Sequence, residues 1–141
     1  MYYLSLFICL THLIIPQNKK SMAAKMFPIY QTKGLGEALR VYHSIKNDTT
    51  YHKSDELLNN FGYYLLKNDK LKEALNVLKL NTEEYPSKAN TYDSYAEALV
   101  KAKQFDKAIY MYEKSISLAP EDSYSYYQLL NVYSFLSERE K

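Results

Sequence analysis

Three histidines, His12, His43 and His52, and one cysteine, Cys9, are the side chains here best suited to hold a metal or attack a substrate near neutral pH. A zinc site needs three or four such ligands to converge, and a helix carrying His-Glu-x-x-His would announce one. The histidines are scattered, no such motif occurs, and no carboxylate cluster joins them. A single cysteine excludes an internal disulfide and a cysteine-based metal site. Serines are plentiful, but Gly-x-Ser-x-Gly, the strand-to-helix elbow that exposes a nucleophilic serine, is absent. Ser-x-x-Lys is absent too: Ser44 is followed three residues on by Asn47, and Ser21 by Ala24. Gly34-Leu35-Gly36 precedes a helical stretch, but cradling a phosphate requires more glycines and a Lys-Ser/Thr pair, so this reads as a turn. No catalytic residue, metal ligand or cofactor is expected.

The elements that position these residues are helices. The chain has 141 residues, room for one modest domain, with only 3 glycines and 4 prolines to break it. A net charge of +2, from 18 basic and 16 acidic residues, is too balanced to point to nucleic acid. Sixteen tyrosines and no tryptophan supply rings that fill a core while keeping a wet hydroxyl, or that line an interaction surface.

Residues 2–15, YYLSLFICLTHLII, form an apolar run ended by Pro16. At 14 residues it is shorter than the ~20 that span a bilayer as a helix. Three readings stand side by side: a signal or anchor, a mis-called start with Met22 or Met26 as the true one, and a packed first helix. The length and the small-x-small Ser21-Met22-Ala23 suit a signal. The missing positive charge before the run, with Lys19 and Lys20 after it, does not. A signal or anchor would make the protein exported or membrane-associated through residues 2–15; otherwise it is expected in the cytoplasm.

A repeat organises the rest. Residues 105–120, FDKAIYMYEKSISLAP, follow the layout of residues 71–86, LKEALNVLKLNTEEYP, at a period of 34. Ala74 falls on Ala108, Leu78 on Tyr112 and Pro86 on Pro120. Upstream, Leu58 falls on Tyr92, Phe61 on Tyr95, Gly62 on Ala96 and Leu65 on Leu99. The 3, 1, 3 spacing of the upstream set lines one face of a helix. Leu71, Ala74, Leu75 and Leu78 do the same for a second helix, and the prolines end it. Ser54 and Asp69 are expected to cap the helices that follow them. Each unit is thus two helices, with small residues where the backbones come close. Size is restricted at these places while surface chemistry is free.

At these positions the chain resembles a tetratricopeptide repeat protein. The resemblance implies an all-α solenoid of antiparallel helix pairs, about three repeats counting half-repeats at both ends. It covers residues 54–122 most fully. The departures are Asn81 and Ser115, where the family has a second small apolar residue. The expected organisation is 1–21, the apolar segment; 22–53, a degenerate half-repeat and linker; 54–88 and 89–122, two full repeats; and 123–141, a capping helix. In the half-repeat, Leu35-Gly36-Glu37-Ala38-Leu39 and Tyr42 resemble a second helix, partnered by residues 22–33, which Pro28 would kink. In the last, Tyr126, Leu129, Leu130 and Tyr133 fall at first-helix places, with Leu130 large where Gly62 and Ala96 are small.

The resemblance also implies a function: a non-catalytic module that binds a protein or peptide in a groove lined by the first helices. The groove positions it implies are Glu56, Asn59 and Tyr63, then Asn90, Asp93 and Glu97, then Tyr124, Tyr127 and Asn131. None is basic, and the expected ligand is an extended neutral or basic chain stacking on Tyr63 and Tyr127. A narrower likeness runs from Gly34 to Pro86. It is similar to the repeat tail that follows the catalytic domain of some bacterial serine hydrolases of the β-lactamase-like type. As such a tail, the chain would be an appendage without its enzyme.

Overall fold

The structure, a computed structural model, describes residues 19–139. The run 2–15, with the signal, anchor and alternative-start readings attached to it, lies outside the described residues. The described chain folds as seven helices and one pair of two-residue strands, and it divides into two compact units between Lys53 and Ser54.

In the first unit, β1 (Lys20–Ser21) leads into α1 (Met22–Lys33), which packs on α2 (Leu35–Ile45). Ser21 starts α1 because its Oγ accepts the otherwise unpaired N–H of Ala24 at 3.2 Å. Helix α1 runs through Pro28, which has no N–H to offer the Ala24 carbonyl. Gly34 alone joins the helices. At φ 79° it occupies the left-handed region that a Cβ disfavours, and its N–H bonds the Tyr30 carbonyl at 2.9 Å. Met22, Met26, Ala38, Tyr42 and Ile45 form the buried side. The polar connection after α2 is partly structured: Tyr51–His52 forms β2, parallel to β1. Tyr51 accepts from Lys25 Nζ at 3.2 Å. This bridge is a small departure from an all-helical chain.

The second unit is a stack of α3 (Asp55–Lys67), α4 (Leu71–Glu84), α5 (Ala89–Lys101), α6 (Phe105–Leu118) and α7 (Ser123–Arg139). Each helix packs on the next, and α3 also meets α5. Leu58, Phe61, Gly62 and Leu65 of α3 are buried, as are Ala74 and Leu78 of α4. Ala96 and Leu99 of α5 meet Ala108 and Tyr112 of α6 in one apolar cluster, which Val132 of α7 joins. Tyr92 and Tyr95 are half-buried, and Pro86 and Pro120 are exposed beyond the helix ends. Tyr92 uses its hydroxyl to donate to the Pro86 carbonyl at 3.0 Å, tying α5 to the turn before it.

Of the three glycines, Gly62 is the one where a neighbouring helix comes close. A Cβ built there would lie 2.5 Å from Leu78 Cγ, and Leu78 is fully buried. Asn81 and Ser115, the two departures from the repeat pattern, share one solution. Asn81 Nδ2 donates to the Asp55 carbonyl, and Ser115 Oγ to the Ala89 carbonyl, each at 3.0 Å. Both acceptors are the first residue of the preceding helix, one period apart. Each of these buried polar side chains thus has a backbone acceptor for its donor, while the Asn81 Oδ1 is left buried with no partner of its own.

The turns inside each pair also match. Lys70 N–H reaches the Leu65 carbonyl and Asp69 N–H the Leu66 carbonyl; Gln104 reaches Leu99 and Lys103 reaches Val100 in the same way. This pairing requires a left-handed residue just past the helix, and Asp69 (φ 58°) and Lys103 (φ 57°) supply it. Asp69 thus closes α3 rather than capping α4, whose preceding residue is Lys70. Ser54 does stand at the N-cap of α3, but its side chain makes no capping bond.

Two pairs of substitutions test this packing through thermal and denaturant unfolding. Gly36→Ala, with open space at its Cβ, should stabilise by up to about 1 kcal/mol through helix propensity. Gly62→Ala gains the same propensity but overpacks against Leu78, a cost of about 1–3 kcal/mol, so it should destabilise. Lys103→Gly should stabilise by about 1 kcal/mol by relieving the left-handed backbone, and Asp69→Gly by less, because aspartate tolerates that region better.

Candidate binding groove

The first helices of the second unit, α3, α5 and α7, are linked to one another by side-chain hydrogen bonds. Tyr63 of α3 donates its hydroxyl to Ser94 Oγ of α5 at 3.3 Å. From α7, Tyr124 donates to Glu97 Oε1 at 2.8 Å, and Ser125 Oγ donates to Asp93 Oδ1 at 2.7 Å. These pairs form because a 34-residue period returns each first helix to the same face one step along the stack.

The nine positions implied by the repeat separate into three groups. Tyr63, Asp93, Glu97 and Tyr124 come together in this linked patch. Glu56, Asn90, Tyr127 and Asn131 are exposed, with Tyr127 showing 61% of its surface to solvent. Asn59 is half-buried. Asp93 departs most from an open groove position. It is 7% exposed and engaged by Ser125, so a ligand cannot reach it as it reaches Glu97 or Tyr127.

Burial sets the electrostatics of the patch. It pushes the Asp93 carboxyl up to about 6, against the pull of the Ser125 hydrogen bond, and the negative Glu97 and Asp122 add to the rise. Burial likewise raises Tyr63, with Glu97 and Asp93 adding to the effect, so its hydroxyl stays a donor. Tyr112 beneath them is raised by burial first and by Asp93 and Glu97 next. Tyr124 is raised chiefly by its hydrogen bond to Glu97. The patch can offer hydroxyl donors, ring faces and one accessible carboxylate, Glu97. Among the described residues no group of three or more His, Cys, Asp or Glu could hold a metal ion. His43 lies on the exposed side of α2, its ring 5.4 Å from that of Tyr42, and His52 is in β2; His12 lies outside the described residues.

Two members of the patch escape a reading of the sequence: Ser94 and Ser125, both buried. Ser125 falls one period after Thr91, another buried hydroxyl, and that recurrence is the one signal that could have drawn attention to it.

Helix pairs stacked at a 34-residue period, with small residues at their crossings, define a tetratricopeptide repeat fold. Solved structures share it. The first such domain of Spaghetti (RPAP3), bound to the HSP90 peptide SRMEEVD, superposes with a TM-score of 0.59 at 17% identity, over 82% of this chain and 93% of that one. MamA (41-end) from Desulfovibrio magneticus RS-1 gives 0.58 at 20% identity over 84% of this chain, and a chain of the CopN–Scc3 complex gives 0.57 at 18% over 70%. The match spans 66% of the MamA chain and 56% of the CopN–Scc3 one. No protein-family model and no curated protein matches the sequence, so the likeness to the repeat tail of serine hydrolases gains no support. Among the described residues no helix is long and apolar enough to cross a membrane.

Replacing Ser125 by alanine should cost about 1–3 kcal/mol at pH 7, the consequence of leaving a buried carboxylate without its donor. Denaturant titration of Ser125→Ala beside the exposed control Ser123→Ala would measure it.

Proposed function

We propose that this chain is a non-catalytic protein-binding module that holds an extended neutral or basic peptide along α3, α5 and α7. The observation that carries this reading is the chemistry of that surface: Glu97 is its accessible charge near the centre, tyrosine rings flank it, and none of the nine groove positions is a cation. The repeat domain of RPAP3, with the same fold, is bound to a peptide whose sequence ends in Glu-Glu-Val-Asp. The same acidic tail placed here would meet Glu97 with no lysine or arginine at these positions to offset it. A lysine or arginine in the ligand would instead pair with Glu97 and lie against the faces of Tyr124 and Tyr127.

Binding of fluorescent peptides, read by anisotropy, tests the reading. Extended peptides carrying one or two basic residues should bind, and Glu97→Lys should weaken them by roughly tenfold or more, the loss expected of one charge-assisted contact. Glu97→Gln should fall between the two. Binding confined to peptides with acidic C-termini would overturn it.

A further inference from the structure

The buried contacts around Asp93 are one proton short. Ser115 Oγ sits 3.0 Å from the Ala89 carbonyl and 3.0 Å from Ser125 Oγ, and Ser125 Oγ sits 2.7 Å from Asp93 Oδ1. Asp93, Ser115 and Ser125 are 7%, 2% and 1% exposed. Three contacts are made, but each serine brings one proton and an ionised carboxylate brings none. If Ser115 donates to Ala89 and Ser125 to Asp93, the two serine oxygens face each other with no proton between them. A proton on Asp93 resolves this. Its carboxyl then donates to Ser125, Ser125 to Ser115, and Ser115 to the carbonyl, and every contact is a hydrogen bond.

This chain crosses three helices: Asp93 and Ala89 on α5, Ser115 on α6 and Ser125 on α7. Of these residues, Ser125 alone belongs to α7, so the proton count bears directly on how firmly that helix is held. We propose that Asp93 is a proton-operated latch for α7: protonated, it completes the chain and holds α7 against α5 and α6; ionised, it leaves the serine pair unbonded and loosens that helix.

The surroundings act in the same direction. The charged groups facing Asp93 are Glu97 on α5 and Asp122 in the turn before α7, both negative. The titratable neutral groups are Tyr63 of α3, Tyr112 of α6 and Tyr124 of α7. Burial raises the carboxyl from 3.8 to about 6 in the docked state, while release of α7 would return it toward its ordinary value. The docked state therefore binds more protons between those two values. Its stabilisation is complete below pH 4, falls as pH rises through about 6, and is level above that. Since α7 carries Tyr124 and Tyr127, loosening it would also open one side of the proposed peptide groove. That consequence rests on the peptide-binding reading, whereas the latch does not.

Amide hydrogen exchange without peptide tests the latch, with rates corrected for the intrinsic pH dependence of exchange. The opening constant of α7, read at Leu129 to Val132, should rise roughly a hundredfold from pH 4 to pH 7.5, as a shift of about two pH units requires. In Asp93→Asn the amide supplies the missing donor at every pH, so α7 should stay protected and the rise should vanish. Carboxyl carbon NMR of the unmodified protein gives a second readout, with Asp93 titrating near 6. Equal pH dependence in the native and Asp93→Asn proteins, or an Asp93 that titrates near 4, overturns the latch. Protection of α7 that follows pH while no peptide binds would leave the latch standing and remove the groove.

Discussion

The approach of α4 to α3 at Gly62 determines the spacing on which the rest of the second unit is built. With no side chain at that point, Leu78 occupies the space a Cβ would take, and both helices bury their flanking leucines at once. One period later Ala96 and Ala108 play the corresponding part, with Tyr112 buried where Leu78 was. Protein interiors pack at crystal-like density, so a helix pair that closes this far leaves little freedom in how the next helix can lie. The stack therefore propagates from a few small residues.

Close packing also explains the polar atoms inside it. A helix held tightly against its neighbour brings α4 and α6 within hydrogen-bonding reach of the first carbonyl of α3 and α5. Those carbonyls have their own helical donors four residues on, and a carbonyl oxygen has two lone pairs. Asn81 and Ser115 use the spare capacity. Chemistry at that position can vary between an amide and a hydroxyl because the acceptor is backbone and does not change. The inner turns follow the same logic: an acid and a lysine occupy equivalent left-handed positions because the backbone bonding pattern, not the side chain, defines the turn.

The outer surface of α3, α5 and α7 is where that restriction lifts. Side chains there are not constrained by the core, so the stack can carry Glu97 between tyrosines without disturbing it. Asp93 is the exception, drawn inward by Ser125 until it belongs more to the packing than to the surface. The charge of a carboxylate in that position is opposed by burial and by Glu97 and Asp122 together.

The amino-acid order alone determined the period, the helix pairs and the small residues at their crossings, because these depend on local spacing and on side-chain volume. It also marked Asn81 and Ser115 as departures from the repeat pattern, without showing what their side chains meet. Only the folded arrangement decided that those side chains meet backbone carbonyls 26 residues away, that Asp69 ends one helix instead of starting the next, and that Lys20–Ser21 pairs with Tyr51–His52. It alone placed Asp93, expected at an open position, inside a buried chain of contacts with Ser115 and Ser125. The reason is physical: helix faces are written in a periodicity of a few residues, while a hydrogen bond between distant segments depends on how those faces are rotated and spaced once packed.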